Sequence, residues 1–79
     1  MKVTAEGILA VIKESIEDQE VVAKLKADVP LLQQGLDSID MPVIAVATEK
    51  KFGVNLSDAQ ATKLKTVNDF VAFVNQKLS

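Results

Sequence analysis

The chain contains no cysteine and no histidine. The first absence excludes disulfides and a protein thiolate nucleophile. The second removes the commonest general base near neutral pH and the commonest metal ligand. A self-contained hydrolase is therefore not expected, nor a metal held by the resting protein. The nine basic residues are all lysine, so bidentate guanidinium recognition of phosphate or guanine is out of reach. Tryptophan and tyrosine are also missing, and the aromatics are Phe52, Phe70 and Phe73. With no basic stripe for these rings to interrupt, nucleic-acid binding has no support. No apolar run approaches the roughly 20 residues that cross a bilayer. The beginning, Met1-Lys2-Val3-Thr4-Ala5-Glu6, lacks a basic region followed by an apolar one. No secretory signal is expected, and the cytoplasm is the expected compartment.

What remains is an aliphatic chain with a small acidic excess. Its 79 residues suit one domain spanning 1–79, expected to act as a monomer. Hydrophobic residues make up 48% of it, enough for a core and against disorder. From Thr4 to about Asp18, Ile8, Ile12 and Ile16 recur at helical spacing, with Ala5, Leu9 and Val11 beside them. Gly7 weakens this helix. Gln19 to Leu36 is a long connection in which Glu20 to Lys26 can form a turn or two, and Pro30 stops any helix. A second helix is predicted from near Ser38 to Phe52, with Ile39, Val43, Ile44 and Ala47 able to face the core. Gly53 is placed to cap its end, and Lys50 and Lys51 suit the negative pole of its dipole. Pro42 predicts an irregular start, with regular helix from about Met41. Ser57 can cap a short helix from Asp58 to about Lys63. Thr66 begins a last helix, Val67 to about Leu78, with Asp69 as the acidic partner of a capping box and Phe70, Val71, Val74 and Leu78 as its apolar stripe. Three main helices, one short one and no strand make an all-α bundle.

The stretch that carries chemistry is Gly35-Leu36-Asp37-Ser38-Ile39-Asp40. A serine at a loop-to-helix junction is, taken by itself, an ordinary N-cap, and acids are ordinary at a helix start. The whole pattern resembles the acyl carrier protein family, whose signature is Gly, one residue, Asp-Ser, then Leu or Ile and often another Asp. The resemblance continues through Glu49 and Phe52, Gly53-Val54-Asn55-Leu56-Ser57-Asp58 and Thr66-Val67-Asn68-Asp69-Phe70, covering roughly residues 4 to 78. It implies a four-helix acyl-carrier-like bundle that is not itself an enzyme. It also implies a covalent 4′-phosphopantetheine arm on Ser38, derived from coenzyme A and attached by a phosphopantetheinyl transferase. The arm's thiol holds acyl groups as thioesters for acyl-loading and acyl-processing enzymes in fatty acid, specialised lipid or polyketide biosynthesis. A chain without cysteine thus does thiol chemistry with an imported thiol. Asp37 and Asp40 repel a phosphate, so the resemblance points them at transferase recognition. Asp37 can enter the magnesium environment of the transfer, a metal belonging to that encounter.

The sequence departs from the family pattern in two places. An Asp-Leu pair commonly precedes the glycine, whereas here Gln33-Gln34 stands, with Leu31 or Leu32 as replacement apolar anchor. The second helix of fatty-acid-synthesis carriers is rich in glutamate, whereas here Glu49 is the sole acid after Asp40. The expected partner surface is Ile39, Met41, Val43, Val46, Lys50 and Lys51, with Thr48 also read as exposed. This surface argues for specialised partners over routine fatty acid synthesis. Core packing is the ordinary alternative for Val43 and Val46. An aminoacyl, peptidyl or D-alanyl carrier shares the arm, but such carriers more often have Gly-Gly before Asp-Ser or His-Ser. An unmodified helical interaction module, from another class altogether, is separated from both by whether coenzyme A adds mass to the chain.

Overall fold

The computed structural model describes residues 2–56 and 63–78. Helix α1 spans Ala5–Ser15, α2 Gln19–Ala23, α3 Asp40–Phe52 and α4 Val67–Leu78, with a single 3₁₀ turn at Leu31–Gln34. Three longer helices and one short one, with no strand among the described residues, form an all-α bundle. Among the described residues the short helix is α2. The one expected at Asp58 to Lys63 falls almost wholly on 57–62, outside the described residues.

Helix α1 opens on Thr4, whose hydroxyl accepts the Gly7 N–H at 3.3 Å. It stops at Ser15, three residues short of the expected end. Asp18 is not its last residue but the cap of α2, accepting the Val21 N–H at 3.2 Å. The chain turns at extended Ile16, which stays buried while the Gln19 side chain donates to the Ile16 carbonyl. Ile8, Val11 and Ile12 are buried, and α1 packs chiefly on α3 and α4. Each such aliphatic side chain contributes about 1.5–3 kcal/mol when removed from water.

The α4 start follows its sequence. Thr66 Oγ1 accepts the Asp69 N–H at 3.0 Å, and the Asp69 carboxylate accepts the Thr66 and Lys65 N–H groups at 3.1 and 3.0 Å. The bonds from Lys65 and Thr66 hold the Asp69 carboxyl below the usual range, against the opposing effect of partial burial. The buried stripe is Val67, Phe70 and Val74; Val71 is half-buried and Leu78 lies at the exposed end. Asn75 accepts the Val3 N–H at 2.6 Å and donates to the Val3 carbonyl at 2.9 Å, tying the start of the chain to α4.

In α3 the buried residues are Ile44, Ala45 and Thr48. Ile39 and Val43, read both as able to face the core and as partner surface, face solvent, while two expectations are corrected: Ala47 is only half-buried, and Thr48 is inside instead of exposed. Thr48 is tolerated there because its hydroxyl donates to the Ile44 carbonyl at 2.8 Å, leaving its methyl group to pack. Gly53 ends the helix at φ 69°, the left-handed conformation that favours glycine, and its N–H reaches the Glu49 carbonyl at 2.8 Å. No described helix is long and apolar enough to cross a membrane.

Candidate functional site

The loop leading to Ser38 is fastened at several points before it reaches the serine. Leu31 is fully buried and its N–H donates to the Lys65 carbonyl at 2.8 Å, while Asn68 N–H donates to the Ala27 carbonyl at 3.0 Å. Leu31 is thus the apolar anchor, and Leu32 points outward. Gln34 clamps the loop. Its amide oxygen accepts the Lys26 N–H at 2.7 Å, and its amide nitrogen donates to the Lys26 and Val29 carbonyls at 3.0 and 2.8 Å. Sequence reasoning missed this role, although the Gln at a position the family usually makes apolar was the signal. Gly35 then reverses the chain at φ 103°, and a Cβ there would also come within 3.3 Å of Val21. Buried Leu36 fixes the next residue.

Beyond Leu36 the anchoring changes. Asp37, Ser38 and Ile39 are all exposed. The Asp40 N–H donates to the Asp37 carbonyl at 2.9 Å, and the Asp40 carboxylate accepts the Asp37 N–H at 2.9 Å. Ser38 is therefore not the cap of α3: its hydroxyl makes no hydrogen bond among the described residues. Regular helix begins at Asp40, one residue before the expected Met41. Pro42 falls in the first turn, where a helix has no internal use for its N–H. The irregular start is the Asp37–Asp40 turn. Its product is a hydroxyl that is exposed and held on a short turn close to buried Leu36, a place open to a bulky reagent.

Beside Ser38 opens a cleft of about 700 Å³, lined largely by aliphatic side chains including Leu32, Met41, Ala45, Val46 and Leu64, with Glu49 and Lys65 among the polar groups. The expected surface residues divide around this cleft. Ile39, Val43, Val46 and Lys50 have the three-and-four spacing of a single helix face, and all are exposed, the first three at 74, 47 and 48%. Lys51 is exposed on a neighbouring face. Met41 is half-buried against the core and turns toward the cleft. No group of three or more acids among the described residues is arranged to hold a metal.

A family model described as a phosphopantetheine attachment site matches residues 6–74. The acyl carrier protein of Thermosynechococcus vestitus is 35% identical over 65 residues, covering 82% of this chain and 76% of the relative. The chain belongs to the acyl carrier protein family. Its covalent group is phosphopantetheine, and a serine hydroxyl that is exposed and without a hydrogen bond among the described residues fits that group. A second acyl carrier protein, from Solidesulfovibrio magneticus, is 35% identical over 69 residues, covering 84% of this chain and 88% of its own. The meromycolate extension acyl carrier protein of Mycobacterium bovis is 41% identical over an alignment of 83 positions, covering 99% of this chain and 70% of that protein. Carriers of this family work with biosynthetic enzymes and a transferase.

Proposed function

We propose that Ser38 is the attachment point and that this carrier serves a specialised lipid or polyketide-type pathway through the outer face of α3. The observation that carries the first part is the Ser38 hydroxyl, exposed and without a hydrogen bond among the described residues, at the one place where the family's Asp-Ser-Ile-Asp pattern occurs. In the attachment step Ser38 Oγ bonds to the pantetheine-bearing phosphorus of coenzyme A. The diphosphate P–O bond breaks, adenosine bisphosphate leaves, and the hydroxyl proton passes to a base on the transferase. The exposed Asp37 carboxylate, on the residue before Ser38 and without a hydrogen bond among the described residues, is suited to the cation that accompanies the diphosphate. When attached, the arm supplies a thiol that holds an acyl group as a thioester. The chain's own residues present it: Leu36 fixes the base of the turn, and the aliphatic cleft beside Ser38 suits an acyl cargo better than a charged aminoacyl one.

The second part rests on the stripe Ile39, Val43, Val46 and Lys50, which is apolar and weakly basic where fatty-acid-synthesis carriers are acidic. The likeness to a carrier named for meromycolate extension points the same way. Incubation with coenzyme A and a promiscuous transferase, followed by mass spectrometry, should add one phosphopantetheine to the unaltered chain and none to Ser38→Ala. Because Ser38 caps nothing, that variant should keep its stability within about 0.5 kcal/mol. Modification retained in Ser38→Ala would refute the assignment. Loading the modified chain from a panel of acyl and aminoacyl donors should favour acyl groups.

A further inference from the structure

We infer that Asp40 acts in arm attachment as a positioning residue, by accepting a backbone hydrogen bond, and that Asp37 alone supplies the charge the transferase reads. This rests on Ser38 being the attachment point. Residues 37–40 form a turn whose two central side chains, Ser38 and Ile39, are exposed and anchor nothing. A helix continued back through Ser38 would fasten its carbonyl with the N–H of residue 42, but that residue is Pro42 and has none, and α3 begins at Asp40. The turn is instead closed by two reciprocal bonds, Asp40 N–H to the Asp37 carbonyl and Asp37 N–H to Asp40 Oδ2, each 2.9 Å. The second depends on the Asp40 side chain, which is half-buried and turned back along the chain. The Asp37 carboxylate has no such engagement among the described residues and stays exposed. Two acids that look equivalent in sequence therefore have different work. What the reaction needs from Asp40 is an acceptor atom, which asparagine also offers.

Initial rates of phosphopantetheine transfer and amide hydrogen exchange at Asp37 together test this. Asp40→Asn should keep kcat/KM for transfer within about threefold of the unaltered chain. Asp40→Ala should lose about fivefold to tenfold, the worth of one typical hydrogen bond, with a matching rise in Asp37 exchange. Asp37→Asn should lose transfer with no rise in exchange. Adding Pro42→Ala to Asp40→Ala returns a donor for the Ser38 carbonyl and should recover part of the rate, a rescue that lost charge would not show. Circular dichroism confirms that each variant is folded; if Asp40→Ala is not, the double variant against Asp40→Asn carries the comparison. Equal losses in Asp40→Asn and Asp40→Ala, or faster exchange with unchanged transfer, would overturn the inference while leaving Ser38 in place. Failure of the unaltered chain to accept the arm would overturn the attachment reading itself, and this inference with it.

Discussion

Lys50 stands in line with Ile39, Val43 and Val46, whereas Lys51, one residue on, occupies a different face of α3. Replacing Lys50 by glutamate should therefore change how this carrier meets enzymes that select acidic partners, and Lys51→Glu should change it much less. The substitution alters the local charge by two units. Against one cation on a partner surface about 6 Å away in water, two unit charges are worth about 1.4 kcal/mol, close to tenfold in encounter affinity. Salt reduces this: the screening length falls from about 30 Å at 0.01 M to about 3 Å at 1 M, so the gain should vanish at the higher figure. The change also places an acid near the helix C-terminus, costing about 0.3–1 kcal/mol. That cost is tolerable because Lys50 is exposed. The assay is malonyl transfer to the phosphopantetheine-bearing protein by a fatty-acid-synthesis acyltransferase that selects acidic carriers, measured at low and high salt. The unaltered chain should be a poor substrate, and Lys50→Glu should improve kcat/KM by up to about tenfold at low salt only. Equal effects of the two lysines, or no gain from Lys50→Glu at low salt, would refute the assignment of this face. A gain that persists at 1 M salt would show that charge is not its cause.

Three further outcomes concern the scaffold. Gly7→Ala should stabilise the chain by about 0.5–1 kcal/mol, read as a melting temperature several degrees higher. The position is helical, and the added methyl group meets Val3 and the Phe52 ring at ordinary contact distances of 3.6 and 3.7 Å. Asn75→Ala should cost about 1–3 kcal/mol in denaturant unfolding and speed amide exchange at Val3, because it removes both bonds between Val3 and α4. Asp69→Asn should be less stable than the unaltered chain near neutral pH. Since the folded state holds the Asp69 carboxyl below its ordinary value, that stabilisation is complete above the unfolded value, near pH 4, and is lost as pH falls through the folded one. The gap between the two proteins, followed by unfolding at several pH values, should therefore close in acid.

Much of the frame could be read from the residues because single interactions decide it. Thr66 and Asp69 sit three residues apart and form the reciprocal cap their spacing requires. Gly53 follows the last α3 residue and takes the one conformation that favours glycine there. Ser38 stood out because its neighbours match a pattern, and its exposure follows from the loop that delivers it. What could not be read depends on residues far apart in sequence. Gln34 reaches back eight residues to Lys26, and Asn75 pairs with Val3 across 72 positions, so neither bond has a local signature.

Helix α3 resists periodicity for a different reason: it is apolar on two faces. Ile44, Ala45 and Thr48 face the core that α1 and α4 supply, and the aliphatic residues on the opposite side point away from it. A threonine is buried while isoleucine and two valines are left in water, against what side-chain hydrophobicity alone would choose. Thr48 can be inside because its hydroxyl is satisfied within its own helix. Ile39, Val43 and Val46 remain outside although shedding them toward polar residues would leave the core untouched. An exposed apolar stripe of this kind is the surface on which the proposed partner contact would form. The stripe begins at Ile39, immediately after Ser38, and Val46 also borders the cleft. A partner that covered it would thereby be brought against the serine proposed as the attachment point, which would join recognition of this carrier to access to its cargo.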